Sequence, residues 1–301
     1  MNQNVFAIVL LTLVSPGLVA GESIPGEPVP GTQAVQQIEL PANTSKRKTK
    51  EEQAAEKAQQ DALPPQQRAA VRRLQYQERF RPKPLDRTEK ETVSYWLFLP
   101  ADYVPKGGKK WPLLLFLHGM GECGSDPEKV KKHGPPKLLG DPEKAKEWPF
   151  ITVSPQCPDG YSWSPMQLVL LLERLEKKYA IDKNREYVTG LSMGGGGTWD
   201  MLYLFPDRFA AGIPICGYCR PDAAERLRHL PIWAFHGEQD TTSQPENSTK
   251  IVEAIRKTGG RQIALTLYPD LAHDCWTVTY DNPEVYQWLL KHKRSNRSSR
   301  R

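Results

Sequence analysis

The spacing of hydrophobic residues changes near Thr92. From there to about Lys291, short apolar runs alternate with longer segments in which apolar positions recur every three or four residues. The short runs predict strands and the longer segments predict amphipathic helices. Strands that alternate with helices predict a mostly parallel sheet with helices on both faces, so the expected fold class is α/β.

Seven strands and four helices are predicted in this region. The strands are TVSYWLFLP, WPLLLFLHG, PFITVSP, REYVTG, FAAGIPICG, LPIWAFHGEQD and RQIALTLYP. The helices are SPMQLVLLLERLEKKYAI, GGTWDMLYLFP, NSTKIVEAIRKTGG and PEVYQWLLKH. The segment WPLLLFLHG is apolar almost throughout, which is typical of a parallel strand covered on both faces.

The segments outside this region differ from it in composition. Residues 22–90 contain few apolar positions, a Pro/Gly-rich stretch and a charged, Ala/Gln-rich stretch. They bury too little apolar surface to form a core, so we expect a disordered or loosely docked linker. The α/β domain is expected over residues 91–292 and a flexible basic tail over residues 293–301.

The N-terminus carries a candidate targeting segment. Residues 1–21 have no charged side chain and contain the apolar run Val5–Val14, followed by small residues with a plausible cleavage point after Ala20 or Gly21. This pattern predicts a signal peptide, a secreted or periplasmic protein and no stable membrane span after cleavage. The usual positive charge at the start is missing, so an uncleaved anchor or a short buried segment is the alternative.

The distribution of charged residues bears on whether the protein binds nucleic acids or other anionic polymers. The net charge is +6, and the last eleven residues hold six basic and no acidic side chains, whereas residues 91–290 have a slight acidic excess. Solvated, flexible termini explain this distribution, and weak contact with anionic envelope polymers stays open. Because no nucleic-acid-binding module is recognisable, we expect no nucleic-acid partner. The oligomeric state does not follow from the sequence.

Five cysteines leave at least one thiol unpaired if disulfides form in an exported protein. Cys216 and Cys219 form a C-x-x-C pair. A zinc site would need two more ligands at matching spacing, and the sequence has no second pair. We therefore expect no metal.

The segment Gly190–Gly194 matches the pattern G-x-S-x-G around Ser192, between a predicted strand and a predicted helix. A serine hydroxyl needs an adjacent base to become a nucleophile. His273 would supply that base and Asp240 would orient it, and both follow predicted strands in the order Ser–Asp–His found in α/β-hydrolases. Glu238 and Asp270 are the nearest substitutes for the acid.

An oxyanion in such a site requires backbone donors. The N–H of Met193 directly follows the nucleophile. The second donor is expected in the loop HGMGECG, with Met120 as first choice and Gly121 next. The histidines at the ends of apolar strands, His118 and His236, are interpreted as structural.

Several blocks together resemble a known family. LLLFLHGMGECG, VSPQCP, YVTGLSMGGGGTWD, FAAGIPICG, PIWAFHGEQD and HDCWTVTY are similar to the bacterial phospholipase/carboxylesterase-like group of the α/β-hydrolase superfamily, whose members are described as predicted peptidases or esterases. The resemblance implies the α/β-hydrolase fold with neither a metal nor an organic cofactor. It assigns Ser192 as nucleophile, Asp240 as acid, His273 as base and His118–Gly121 as oxyanion segment.

The chain departs from that group around the expected pocket. Cys123 stands where the group usually has Arg, Cys275 where it often has Ser, and Tyr218 and Cys219 where it has small residues. These departures leave the substrate open. One hypothesis is a disulfide between Cys219 and Cys275.

Four residues are candidates for the substrate pocket. The residues are Gln156, Trp163, Tyr218 and Trp276. An aromatic wall suits an apolar or sugar-linked ester. Tryptophans that fill the core are an equal alternative.

The function predicted from the sequence is a secreted serine hydrolase that cleaves carboxylic esters through an acyl-enzyme. A serine peptidase of the same fold is one alternative. The other is a non-catalytic, envelope-associated protein with a vestigial hydrolase domain.

Overall fold

The computed structural model describes residues 28–64, 85–105 and 107–294. Their strands form one eight-stranded sheet in the order β1-β2-β4-β3-β5-β6-β7-β8. The strands are β1 (Gln33–Ala42), β2 (Asp86–Phe98), β3 (Trp111–Leu117), β4 (Ile151–Pro155), β5 (Ile181–Leu191), β6 (Ala211–Ile215), β7 (Ile232–Gly237) and β8 (Ile263–Tyr268). Strands β3 to β8 are parallel, and β1 and β2 run antiparallel at one edge.

The helices connect these strands. The α-helices of the described residues are α1 (Lys50–Asp61), α2 (Gly134–Leu138), α3 (Pro142–Lys146), α4 (Pro165–Lys178), α5 (Met193–Leu204), α6 (Ala224–Leu227), α7 (Glu246–Lys257), α8 (Trp276–Asp281) and α9 (Pro283–Leu290). Short 3₁₀ turns lie at Met120–Glu122, Pro127–Lys132 and Pro221–Ala223. The four predicted helices correspond to α4, α5, α7 and α9.

Strand β3 separates two hydrophobic cores because its successive side chains point to opposite faces. Leu113, Leu115 and Leu117 pack into the core that α4, α5 and α7 cover. Leu114 and Phe116 pack into the core that α8, α9 and the short helices α2 and α3 cover. A mostly parallel sheet with helices on both faces confirms the predicted fold class.

The predicted linker is wrong for residues 33–42, which form β1. This strand pairs antiparallel with β2 along its length, starting from Gln33 opposite Phe98. An edge strand can be mostly polar because it satisfies its backbone groups on its neighbour and needs only a few apolar contacts. Leu40 is buried and Ile38 packs against the same core, so the folded unit begins well before residue 91.

The other predicted segments lie partly or wholly outside the described residues. The predicted signal peptide, residues 1–21, lies outside the described residues, as do positions 295–301 of the predicted tail. Every described helix is too short or too polar to cross a bilayer.

Candidate active site

Ser192 lies on a sharp turn between β5 and α5. Its backbone has φ +53° and ψ −114°, a conformation that residues other than glycine rarely adopt. A Cβ atom at Gly190 would overlap the backbone of Gly194, and one at Gly194 would overlap the carbonyl of Leu117. The two glycines of the G-x-S-x-G pattern are therefore required by close backbone approach, which holds the serine side chain out at the end of the strand.

Three predicted side chains meet at this turn. His273 Nε2 lies 2.9 Å from Ser192 Oγ, and His273 Nδ1 lies 2.7 Å from Asp240 Oδ2. The three residues follow β5, β7 and β8, so their side chains gather at the carboxyl edge of the parallel sheet. The His273 side chain is 22% exposed and that of Asp240 is fully buried, which leaves the histidine open to a ligand.

The two substitute acids do not take part in this hydrogen-bonded row. Glu238 and Asp270 are exposed, and neither is hydrogen-bonded to His273 in the described part of the chain. The row therefore contains the acid that the sequence favoured.

Asp240 is held as a carboxylate by several donors. Its Oδ1 accepts hydrogen bonds from the N–H groups of Thr242 at 2.8 Å and Ser243 at 2.9 Å. Burial raises the pKa of Asp240, but the hydrogen bond from His273 and those from the two N–H groups outweigh it, so the pKa lies below its ordinary value. The group is thus poised to orient a histidine and to balance a positive charge on it.

A second buried histidine supports the acid from behind. His236 Nε2 lies 2.7 Å from the Ser243 carbonyl and 3.2 Å from Asp240 Oδ2, and its Nδ1 lies 2.7 Å from Ser248 Oγ. Burial lowers the pKa of His236, which favours the neutral ring that donates from Nε2 and accepts at Nδ1. Sequence reasoning missed this contact with Asp240, although the spacing of four residues at a strand end was visible.

His118 has a purely structural set of contacts. Its Nδ1 lies 2.6 Å from the Gly119 carbonyl, and its Nε2 accepts from the Cys157 N–H at 3.0 Å. Burial lowers its pKa to about 4, so the ring is neutral at ordinary pH. Both ring nitrogens hold the loop that follows β3.

That loop presents the predicted oxyanion donors. The Gly119 N–H donates to Glu122 Oε2 at 3.0 Å, which folds the loop back on itself. The N–H groups of Met120, Gly121 and Met193 donate to no other group in the described ranges. Three N–H groups are thus left free after the carboxyl ends of the neighbouring strands β3 and β5, as an oxyanion site requires.

Gln156 and Trp163 lie beneath the loop, where they line a small cavity. The Gln156 amide donates to the Glu122 carbonyl, and the Trp163 indole N–H donates to the His118 carbonyl at 3.1 Å. Both side chains are buried. Their contacts support the loop, which is the packing role held as the alternative for the tryptophans.

The other two candidates lie next to elements of the site: Trp276 contacts His273, and Tyr218 lies beside the start of α5. The ring of Trp276 meets that of His273 edge to face at a centroid distance of 5.1 Å, and its indole N–H points to His133 Nδ1 at 3.3 Å. Tyr218 is half-buried, and its carbonyl lies beside Gly196 at the start of α5. Of the four candidate pocket residues, Trp276 contacts His273 directly.

The hypothesis of a disulfide between Cys219 and Cys275 is wrong, since all five cysteines are unpaired. The Cys275 thiol contacts Cys216, whereas Cys219 is buried against the carbonyl of Arg220.

Cys216, Asp240 and His273 also place their ligand atoms within 4.8 Å of one another. Asp240 and His273 use the facing atoms in their mutual hydrogen bond. The cluster is therefore explained without a metal ion.

Comparisons with known proteins support the fold and the type of chemistry. No family model matches the chain. Over 151 residues, 48% of this chain and 21% of the relative, it is 29% identical to a bifunctional acetylxylan esterase/xylanase of Neocallimastix patriciarum. A thermostable esterase of known structure has 34% identity and a TM-score of 0.61 over 69% of this chain and 61% of its own.

A ferulic acid esterase shares the fold with 20% identity and a TM-score of 0.52, over 66% of this chain and 91% of its own. Dipeptidyl peptidases share the fold at 12–15% identity. The chain spans about a fifth of the first relative and about three fifths of the thermostable esterase. These findings confirm the α/β-hydrolase fold and the resemblance to esterases of that superfamily.

Proposed function

We propose that this chain, which has the α/β-hydrolase fold, is a secreted serine hydrolase that cleaves carboxylic esters through an acyl-enzyme. The observation that carries the proposal is the hydrogen-bonded row Asp240–His273–Ser192 beside free backbone donors. Similarity to a thermostable esterase at 34% identity favours esters over other acyl substrates. Secretion rests on the predicted signal peptide at residues 1–21.

The first half of the reaction forms the acyl-enzyme. His273 Nε2 takes the proton of Ser192 Oγ as this oxygen attacks the ester carbonyl carbon. Asp240 accepts the Nδ1–H bond throughout and stabilises the imidazolium. The negative oxygen of the tetrahedral intermediate receives hydrogen bonds from the N–H groups of Met193 and Met120, with Gly121 as the neighbouring donor. His273 then returns its proton to the leaving alcohol.

The second half releases the acid. A water molecule enters the place that the alcohol has left, and His273 removes its proton as it attacks the acyl carbon. Collapse of the second tetrahedral intermediate frees the carboxylic acid and returns the proton to Ser192. These steps need neither a metal ion nor an organic cofactor, because the nucleophile, the base and the oxyanion donors all belong to the chain.

The decisive variant is Ser192→Ala. With 4-nitrophenyl acetate and 4-nitrophenyl butyrate, we expect the variant to lose at least about 10⁴-fold in kcat, since the group that forms the covalent bond is gone. Wild-type protein should also be labelled by a fluorophosphonate, and the variant should not. Ser125→Ala removes an exposed serine hydroxyl and serves as the matched control, with activity and labelling unchanged.

Two outcomes would contradict the proposal. Full activity of Ser192→Ala would place the nucleophile elsewhere, and a wild type that neither turns over esters nor reacts with the fluorophosphonate would be non-catalytic. A panel of peptide nitroanilides separates the peptidase alternative, which predicts that the wild type cleaves these amides as well as the nitrophenyl esters, whereas an esterase leaves them intact.

A further inference from the structure

A segment N-terminal to the predicted domain reaches the candidate active site. After β1, the chain runs beside the loop that follows β4. The Asn43 side-chain amide donates to the Ser162 carbonyl at 3.0 Å, the Ser162 N–H donates to the Ser45 carbonyl at 2.9 Å, and the Arg47 N–H donates to the Gly160 carbonyl at 2.6 Å. These three bonds fix the backbone from which the Arg47 side chain projects.

The Arg47 guanidinium lies against the side chain of Met193, the residue that carries one of the predicted oxyanion donors. Its Nη1 is 3.8 Å from Met193 Sδ, in the residue that follows the nucleophile. Its charge also acts on Cys123, within the loop HGMGECG. The pKa of this thiol is lowered chiefly by its hydrogen bond with Cys157, and Arg47 adds to that lowering. The cation is therefore one side-chain contact away from the residue whose N–H is a predicted oxyanion donor.

Arg47 is half-buried and has no carboxylate at ion-pair distance in the described part of the chain. Four arginines form ion pairs with carboxylates: Arg185, Arg208, Arg220 and Arg228. A guanidinium that is partly removed from water next to a catalytic site is well placed to receive an anion from a ligand.

We propose that Arg47 binds a carboxylate of the substrate, so that the enzyme prefers esters that carry a second, negatively charged carboxyl group. The guanidinium is a planar fork whose donors match both oxygens of a carboxylate. This inference rests on the proposed ester hydrolysis and specifies its substrate class. The carboxylate belongs to the acid part or to the alcohol part of the ester, and the experiment distinguishes these two positions.

Recognition by Arg47 has a kinetic signature of its own. The contact involves a group remote from the reacting carbonyl and exists in both the ground state and the transition state, so its loss raises KM and leaves kcat nearly unchanged. A guanidinium that instead stabilised the oxyanion directly would lower kcat for neutral and anionic esters alike.

The test uses two matched pairs of substrates. For the acid part, the mono-4-nitrophenyl ester of glutaric acid is compared with its methyl ester; for the alcohol part, 4-acetoxybenzoate is compared with methyl 4-acetoxybenzoate. With Arg47→Gln we expect KM for the anionic member of one pair to rise about tenfold and kcat/KM for both neutral members to stay within about twofold. Arg47→Lys should fall between, because it keeps the charge and loses the fork.

Lys46→Gln is the matched control. It removes the same charge from the preceding residue, whose side chain is exposed, and should leave all four substrates unaffected. A long-range effect of net charge would instead appear equally in both variants.

Failure of the inference can be told apart from failure of the proposed function. An equal loss on neutral and anionic esters, or no change in either pair, would overturn the assignment of Arg47 while ester hydrolysis stands. Absence of turnover of every ester by the wild type would contradict the function itself. Calorimetric titration of the Ser192→Ala protein with glutarate gives a readout without catalysis, and equal affinity with and without Arg47→Gln would also overturn the inference.

Discussion

Ser192 stands on a turn whose shape is set by backbone atoms, whereas the ring of His273 is held in place by other side chains. At the serine, the N–H donates to the Ile215 carbonyl at 3.0 Å and the neighbouring glycines touch main-chain carbonyls. At the histidine, the ring is fixed by the carboxylate of Asp240 and the indole of Trp276. Backbone contacts leave no room for adjustment, so we expect all-or-none effects at the turn and graded effects at the histidine.

The largest effect is expected from Gly194→Ala. The new Cβ atom would overlap the Leu117 carbonyl, and because both sides of this contact are backbone, β3 and α5 must separate. We expect little folded protein, measured by urea unfolding and by soluble yield.

Gly196→Ala is the matched control in the same glycine run. Its Cβ would meet only the Tyr218 carbonyl at 3.8 Å, an ordinary contact, and alanine favours the helix over glycine by about 0.5–1 kcal/mol. This variant should be as stable as the wild type or slightly more stable. If the two variants behaved alike, close backbone approach would not be what distinguishes the turn.

The next effect is expected from Asp240→Asn on the histidine side. The amide cannot balance a positive charge on His273, so we expect kcat to fall by about 10³–10⁴ while the protein folds. Circular dichroism establishes the fold and ester hydrolysis the loss. Activity within tenfold of the wild type would assign the acid role to another carboxylate.

The same substitution has a pH signature. Because the pKa of Asp240 is below its ordinary value in the folded state, its carboxylate stabilises the protein above the unfolded pKa of about 3.9. That contribution is lost as pH falls from there through the lower folded pKa. Urea unfolding between pH 7 and pH 3 should therefore show a shallower acid decline for Asp240→Asn than for the wild type.

The smallest effect is expected from His236→Gln, which removes the buried ring behind Asp240. Asp240 keeps His273 and two N–H donors, so its position loosens without being lost, and we expect about a tenfold drop in kcat with KM within about twofold. A merely structural role would lower stability and leave the kcat of the folded fraction unchanged. His229→Gln removes an exposed histidine and serves as the control.

The sequence was most informative where one physical cause acts alone. Continuous apolar runs have no stable place except inside a sheet, so β3 and its parallel neighbours were predictable. The turn at Ser192 was predictable because only glycine tolerates such close approach. The proximity of Asp240 and His273 to Ser192 was predictable because the carboxyl ends of parallel strands meet at one edge of the sheet.

Other features depend on contacts between segments far apart in the chain. In β1, Gln and Glu residues separate Val35, Ile38 and Leu40, and only Ile38 and Leu40 keep the period-two spacing of a half-buried strand. Gln156 and Trp163 donate hydrogen bonds to backbone carbonyl groups of the loop HGMGECG. Backbone carbonyl groups are the same in every residue, so the sequence could not indicate these contacts. Arg47 was assigned to a linker, and its position beside Met193 follows from how β1 docks.

The pairing of β1 with β2 also determines which strand forms the exposed edge of the sheet. β1 occupies the outer hydrogen-bonding groups of β2 from Lys90 to Phe98. A chain shortened to begin at residue 91 would leave these groups bare along a strand that carries Tyr95, Leu97 and Phe98, the kind of edge that recruits strands from other molecules. β1 therefore covers this edge, and we expect a chain that lacks it to aggregate more readily.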